Sequence, residues 1–98
     1  MQDDSNHVLM LIQFNRNIQF TRLLRADGRL REFNFRKTNG LQGEMFTVDV
    51  SDDRGNRIMF RMQKQDGSWK IQEQALPEWI REREADLHEL IEEELRIA

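Results

Sequence analysis

Two neighbouring hairpins in the middle of this 98-residue chain constrain its fold most, because both must bury the same side of one sheet. They lie in the stretch EMFTVDVSDDRGNRIMFRMQKQDGSWKIQEQ, from Glu44 to Gln74. Asp66-Gly67 reads as a two-residue hairpin loop whose glycine accepts positive φ. Centring the turn there pairs Met62 with Ile71, Lys64 with Trp69 and Phe60 with Glu73. The preceding connection, Ser51 to Arg57, is dense in turn formers. Folding back across it sets Val50 opposite Ile58, Val48 opposite Phe60 and Phe46 opposite Met62. Because strand side chains alternate, Phe46, Val48, Val50, Phe60, Met62, Trp69 and Ile71 then share one face. A slip by one residue would turn all of them to water, so the register is strongly specified.

The same reasoning extends to both sides. Asp27-Gly28 is a second two-residue turn, setting Phe20 opposite Phe35, Arg22 opposite Phe33 and Leu24 opposite Arg31. Arginines replace apolar residues near this turn, where the hairpin is expected to leave the core. Leu23 and Leu30 fall on the other parity, which implies a bulge or a second covered face. Val8 to Phe14 is apolar on both parities, so it suits a strand covered on both sides, with one helix over 5–25 as the alternative. Residues 1–6 are polar and expected to be disordered. After the meander, Ala75-Leu76-Pro77-Glu78 is a helix start, with proline opening the first turn. Leu76, Ile80, Leu87, Leu90, Ile91 and Leu95 form one apolar stripe, interrupted at Arg83 and Glu84. Trp79 lies off the stripe and is expected to cover the sheet edge or the Trp69 hairpin. The expectation is one α+β domain over 1–98: an antiparallel β-meander of five or six strands with one C-terminal amphipathic helix packed on the sheet. Strands are placed at about 8–14, 18–25, 29–37, 45–50, 57–64 and 69–74, and the helix at about 77–96.

Charge is unevenly spread. The formal net charge is −3, yet from Pro77 onward eight acids face three arginines, a local −5. Arg16 to Lys37 holds seven basic residues against Asp27 and Glu32, a local +5. Neutralisation of the basic hairpin by the acidic helix is the plain expectation. Head-to-tail self-association, or an anionic partner, is the sharper one. The absence of cysteine excludes disulfides, thiolate metal sites and cysteine nucleophiles. No stretch is long and apolar enough for a membrane helix, and the acidic start does not look like a secretory signal. A cytoplasmic protein is expected.

Catalytic chemistry finds little support, and no cofactor or metal is expected. His7 and His88 lack metal-ligand spacing, and His88, between Leu87 and Glu89, reads as exposed on the polar side of the helix. Asp49, Asp52 and Asp53 near Gly55 do not follow a calcium-loop pattern, and an Asx-type turn accounts for them. A pocket for a small ligand could lie between sheet and helix, lined by Trp69, Phe60 and Met62.

The basic hairpin is the candidate binding site: Arg16, Arg22, Arg25, Arg29, Arg31, Arg36 and Lys37, interleaved with Phe20, Phe33 and Phe35. Cations for phosphates and aromatic rings for bases are the ingredients of a single-stranded nucleic-acid platform, provided the rings do not face the core. Phe46-Thr47-Val48-Asp49-Val50, Arg54-Gly55 and Arg57, followed by a hairpin and an amphipathic helix, resemble in outline a repeat of the PUR nucleic-acid-binding family. That resemblance, over roughly 30–95, implies a four-stranded sheet before one helix, with repeats pairing to bind nucleic acid. The extra apolar segment at 8–14 and Asn56 between Gly55 and Arg57 depart from it. Met45 and Met59, with Leu9 and Leu11, fall opposite the core set and would make an apolar patch that a second copy could cover. The leading expectation is therefore a non-catalytic binding or protein-interaction module forming a homodimer, with nucleic-acid binding next.

Overall fold

A computed structural model describes residues 18–40, 43–73 and 75–97. The expected strand at 8–14, Arg16 and the first six residues lie outside the described residues. Among the described residues five strands follow in order: β1 (Gln19–Ala26), β2 (Arg29–Gly40), β3 (Gly43–Ser51), β4 (Arg57–Gln65) and β5 (Ser68–Ile71). Each pairs antiparallel with the next, giving a sheet ordered β1-β2-β3-β4-β5. Two helical segments close the fold, α1 (Glu78–Arg81) and α2 (Glu84–Ile97). The architecture is the α+β meander that the alternation predicts.

The registers follow the turns. Phe20 lies opposite Phe35, Val48 opposite Phe60 and Met62 opposite Ile71. Asp27 and Gly28 take φ of 54° and 79°, and Asp66 and Gly67 take 52° and 84°. Two successive positive φ values make the primed turn whose twist suits a hairpin, and aspartate tolerates the first position where a β-branched residue would be strained. In the longer connection the Asp52 carboxylate accepts the backbone N–H groups of Arg54 and Asn56 at 2.9 and 2.8 Å. This is the Asx-type turn expected there.

One side of the sheet makes the core. Phe33, Phe35, Phe46, Val48, Val50, Phe60, Met62 and Trp69 are buried against Ile80, Leu87 and Ile91 of the helices. Phe20 stacks on Phe35 with ring centroids 4.5 Å apart, and Phe46 meets Trp69 edge-on at 5.0 Å. Full burial of such side chains stabilises by roughly 1.5–3 kcal/mol each, so this layer holds the fold.

Four details depart from expectation. β1 and β2 pair without a bulge, so Leu23 and Leu30 simply stand exposed on the other side, at 59% and 55%. β5 stops at Ile71 rather than pairing Glu73 with Phe60. Where the chain peels away, the Glu73 carboxylate accepts both the backbone N–H and the guanidinium of Arg61, each at 2.7 Å. The hairpin end does not leave the core either: Arg31 is only 7% exposed. Its charge is met by Asp53 at 3.0 Å, its Nε donates to the Ala26 carbonyl at 2.8 Å, and the Trp79 ring covers its guanidinium at 4.4 Å. Trp79 thus caps the Asp27-Gly28 end and not the Trp69 hairpin, because a buried cation there offers a ring a better contact. Lastly, the helix breaks at Glu82 and Arg83. Arg83 N–H donates to the Ile80 carbonyl in a tightened turn before α2 resumes, and both Ile80 and Leu87 face inward.

Candidate interaction surface

Alternation along the strands gives the sheet two unlike sides. The first lies under α2 and uses the helix's acids structurally. β5 is an edge strand, so the N–H groups of Trp69 and Ile71 that point away from β4 need acceptors. They find them in the helix: His88 Nδ1 accepts from Trp69 at 3.0 Å and Glu84 Oε2 from Ile71 at 2.8 Å. One turn further on, Glu92 accepts from the Trp69 indole at 2.8 Å and from Lys64 at 3.2 Å. Glu84, His88 and Glu92 recur every four residues, so they form one flank of the helix. His88 is half-buried and engaged, not exposed as its neighbours in sequence suggest. The reason is tertiary: the flank beside the apolar stripe lies along a strand edge.

These contacts set the ionisation of the acids. Glu92 is held below the ordinary carboxylate value by its hydrogen bonds from Lys64 and Trp69. Glu93 is lowered by Arg22, which donates to it and also lies 3.7 Å from Glu94. Burial alone would raise Glu73, but the hydrogen bonds from Arg61 outweigh it and the value falls.

The seven basic residues read from the sequence do not gather on one side. Arg22 and Arg31 lie on the helix side, the first paired with the acidic helix as expected and the second buried. Lys37 shares that side and pairs with Glu44 at 3.2 Å. Arg29, at the turn, pairs with Asp53 at 3.0 Å. Arg25 and Arg36 stand exposed on the opposite side with no acid in contact among the described residues. Arg16 is not described. Phe33 and Phe35 are buried, and half-buried Phe20 stacks on Phe35 and meets Phe46 edge-on, so these rings are engaged with one another on the helix side.

The second side is uncovered among the described residues. Thr21 donates to Asn34 at 2.6 Å, and Asn34 donates to Asp49 at 3.0 Å, a polar row running across β1, β2 and β3. Arg57 lies 3.8 Å from Asp49. A shallow depression around this row is lined by Asn34, Arg36, Thr47, Asp49, Arg57 and Met59. Leu23, Leu30 and Met59 are exposed here, Met59 by 56%. By strand parity this side carries Arg25, Arg36, Arg57, Arg61 and Lys70 against Glu32 and Asp49. Sequence reasoning that stopped at Lys37 missed Arg57, Arg61 and Lys70. The alternation in β4 and β5 that turns Ile58, Phe60, Met62 and Trp69 toward the core was the signal that could have found them.

No family model, curated protein or solved structure matches this chain.

Among the described residues no cluster of three histidines or acids could hold a metal ion, and no helix is long and apolar enough to cross a membrane. Trp69, Phe60 and Met62 are essentially fully buried beneath the helix. What the open side can do chemically is dock a surface. It has fixed donors, uncompensated cations, and apolar side chains standing in water.

Proposed function

We propose that this protein is a non-catalytic interaction module that self-associates through the uncovered side of its sheet and works in the cytoplasm. One observation carries the reading: Leu23, Leu30 and Met59 are each more than half exposed on that side. Leu23 and Leu30 lie diagonally across β1 and β2, and Met59 stands on β4 beyond the polar row; large apolar side chains exposed on one sheet face favour a protein contact. The arginines around them would form the polar rim that such contacts use. Sedimentation velocity over a rising concentration series tests it. The average mass should climb for the native chain and stay at one chain for Leu23→Ser/Met59→Ser, with both proteins unfolding at the same urea concentration. A native mass that stays at one chain throughout would end the reading.

Arg25, Arg36, Arg57 and Lys70 also support a second reading, single-stranded nucleic acid held on this side by its phosphates. Without exposed rings such binding would be largely electrostatic and steeply weakened by salt.

A further inference from the structure

The uncovered side of the sheet and the outer side of its helices differ in charge as well as in shape. Strand parity gives the sheet side five cations against two acids; Glu73 takes Arg61 and Asp49 lies beside Arg57, which leaves Arg25, Arg36 and Lys70 with no acid in contact among the described residues. On the outer side of the helices Glu78, Glu82 and Glu89 are exposed and form no ion pair among the described residues, in the company of two exposed arginines, Arg81 and Arg96. Ala85 and Glu89 are exposed one turn apart, so they make the outward stripe of α2, while Glu93, one turn further on, is taken by Arg22 of the same molecule. Ala85 lets another surface approach the helix closely. Exposed Ile97, at 74%, adds an apolar group at its end.

A two-fold pair formed sheet to sheet would press like-charged arginines together and double the positive excess in one layer. Such a contact is self-opposing, since a symmetric interface must complement itself. Nucleic acid would satisfy the cations but leave Leu23, Leu30 and Met59 against phosphates and sugars. The chain itself carries a surface that answers both features. Within one molecule the same chemistry already operates, where Arg22 of β1 takes Glu93 and Glu94 of α2.

Building on self-association through the open side, we infer that its occupant is the acidic outer stripe of α1 and α2 from a second copy. The two surfaces lie on opposite sides of one molecule. Each copy therefore gives one and receives the other, and association is head-to-tail rather than a closed pair. Salt weakens it, because the charges on both surfaces are exposed.

The test uses two full-length variants, each lacking one surface. The first is Arg25→Gln/Arg36→Gln/Met59→Ser and the second is Glu78→Gln/Glu82→Gln/Glu89→Gln. All six positions are exposed, and unchanged urea midpoints confirm that both variants fold. Sedimentation velocity should find each variant at one chain at concentrations where the native protein grows. An equimolar mixture should give a species of two chains and nothing larger, since it retains only one competent contact. If the second variant still grows like the native protein, the helix is not the occupant, while the open side stands as the contact. If the native protein never grows, both readings fall. If a labelled single-stranded oligonucleotide binds and only the first variant loses it, while the mixture stays at one chain, the side belongs to a polyanion.

Discussion

The two sides of this sheet are made by the same strands, yet their residues play different parts. On the helix side nearly every group has a partner: rings meet rings, Glu92 takes both Lys64 and the Trp69 indole, and Arg31 is buried against Asp53 and Trp79. On the other side Leu23, Leu30 and Met59 stand in water, and Arg25, Arg36 and Lys70 have no acid beside them among the described residues. Alternation alone separates these two populations. It teaches that identity says less than parity: Arg31 and Arg36 sit five residues apart in one strand, the first a structural pin and the second a free cation.

Substitutions can break that contrast, the largest effect coming from the core. Leu87→Ala or Ile91→Ala should cost about 2–5 kcal/mol in urea unfolding, since each leaves a cavity beneath the helix. Leu23→Ala and Met59→Ala should stay within about 0.5 kcal/mol of the native value. Equal losses on the two sides would mean that the open side is packed in solution.

The arginines make the next comparison. Arg31→Met removes the donor to the Ala26 carbonyl and the cation beneath Trp79. It should cost roughly 2 kcal/mol, while Arg36→Met should leave the unfolding midpoint in place. The smaller contrast lies at the edge of β5. His88→Ala strips the acceptor from the Trp69 N–H, for a loss of about 1 kcal/mol. Faster hydrogen exchange at the Trp69 amide is the specific readout, since a general loosening would speed the amides of β2 and β3 as well.

Acid sharpens the comparison most gently. Glu73, Glu92 and Glu93 are held below their ordinary value of 4.5 in the folded protein. Carboxylates lowered on folding contribute stability above their unfolded value and lose it as the pH falls through the folded one. The urea midpoint should therefore be flat from neutrality to about pH 5 and decline below it. Glu92→Gln should begin lower and decline less steeply. A midpoint that rises on acidification would contradict the assigned contacts.

Most of the fold was legible because its information is local. Two Asp-Gly turns fix the registers, and the alternation of Phe46, Val48 and Val50 with Thr47 and Asp49 fixes the buried side. The apolar stripe gave the helix, but as one helix over 77–96: Arg83 and Glu84 read as an interruption of the stripe and not as the break that separates α1 from α2. What escaped depends on distant elements. Nothing near His88 reveals that it will lie against the edge of β5, and nothing near Arg31 reveals that Trp79 and Asp53 will converge on it. The basic stretch up to Lys37 looked like one site because charges were counted along the chain. Folding sorts those charges by parity, sending Arg22 and Arg31 to one side and Arg25 and Arg36 to the other, where Arg57, Arg61 and Lys70 join them.

One side of the sheet holds the fold together, and the other is the side proposed for contact. The most direct test is a dilution series of methyl NMR spectra, with Leu23, Leu30 and Met59 followed against Ile80, Leu87 and Ile91. Concentration-dependent shifts and broadening are expected at the first three and constant signals at the second three. Constant signals at all six, or changes confined to the buried set, would contradict the proposed contact.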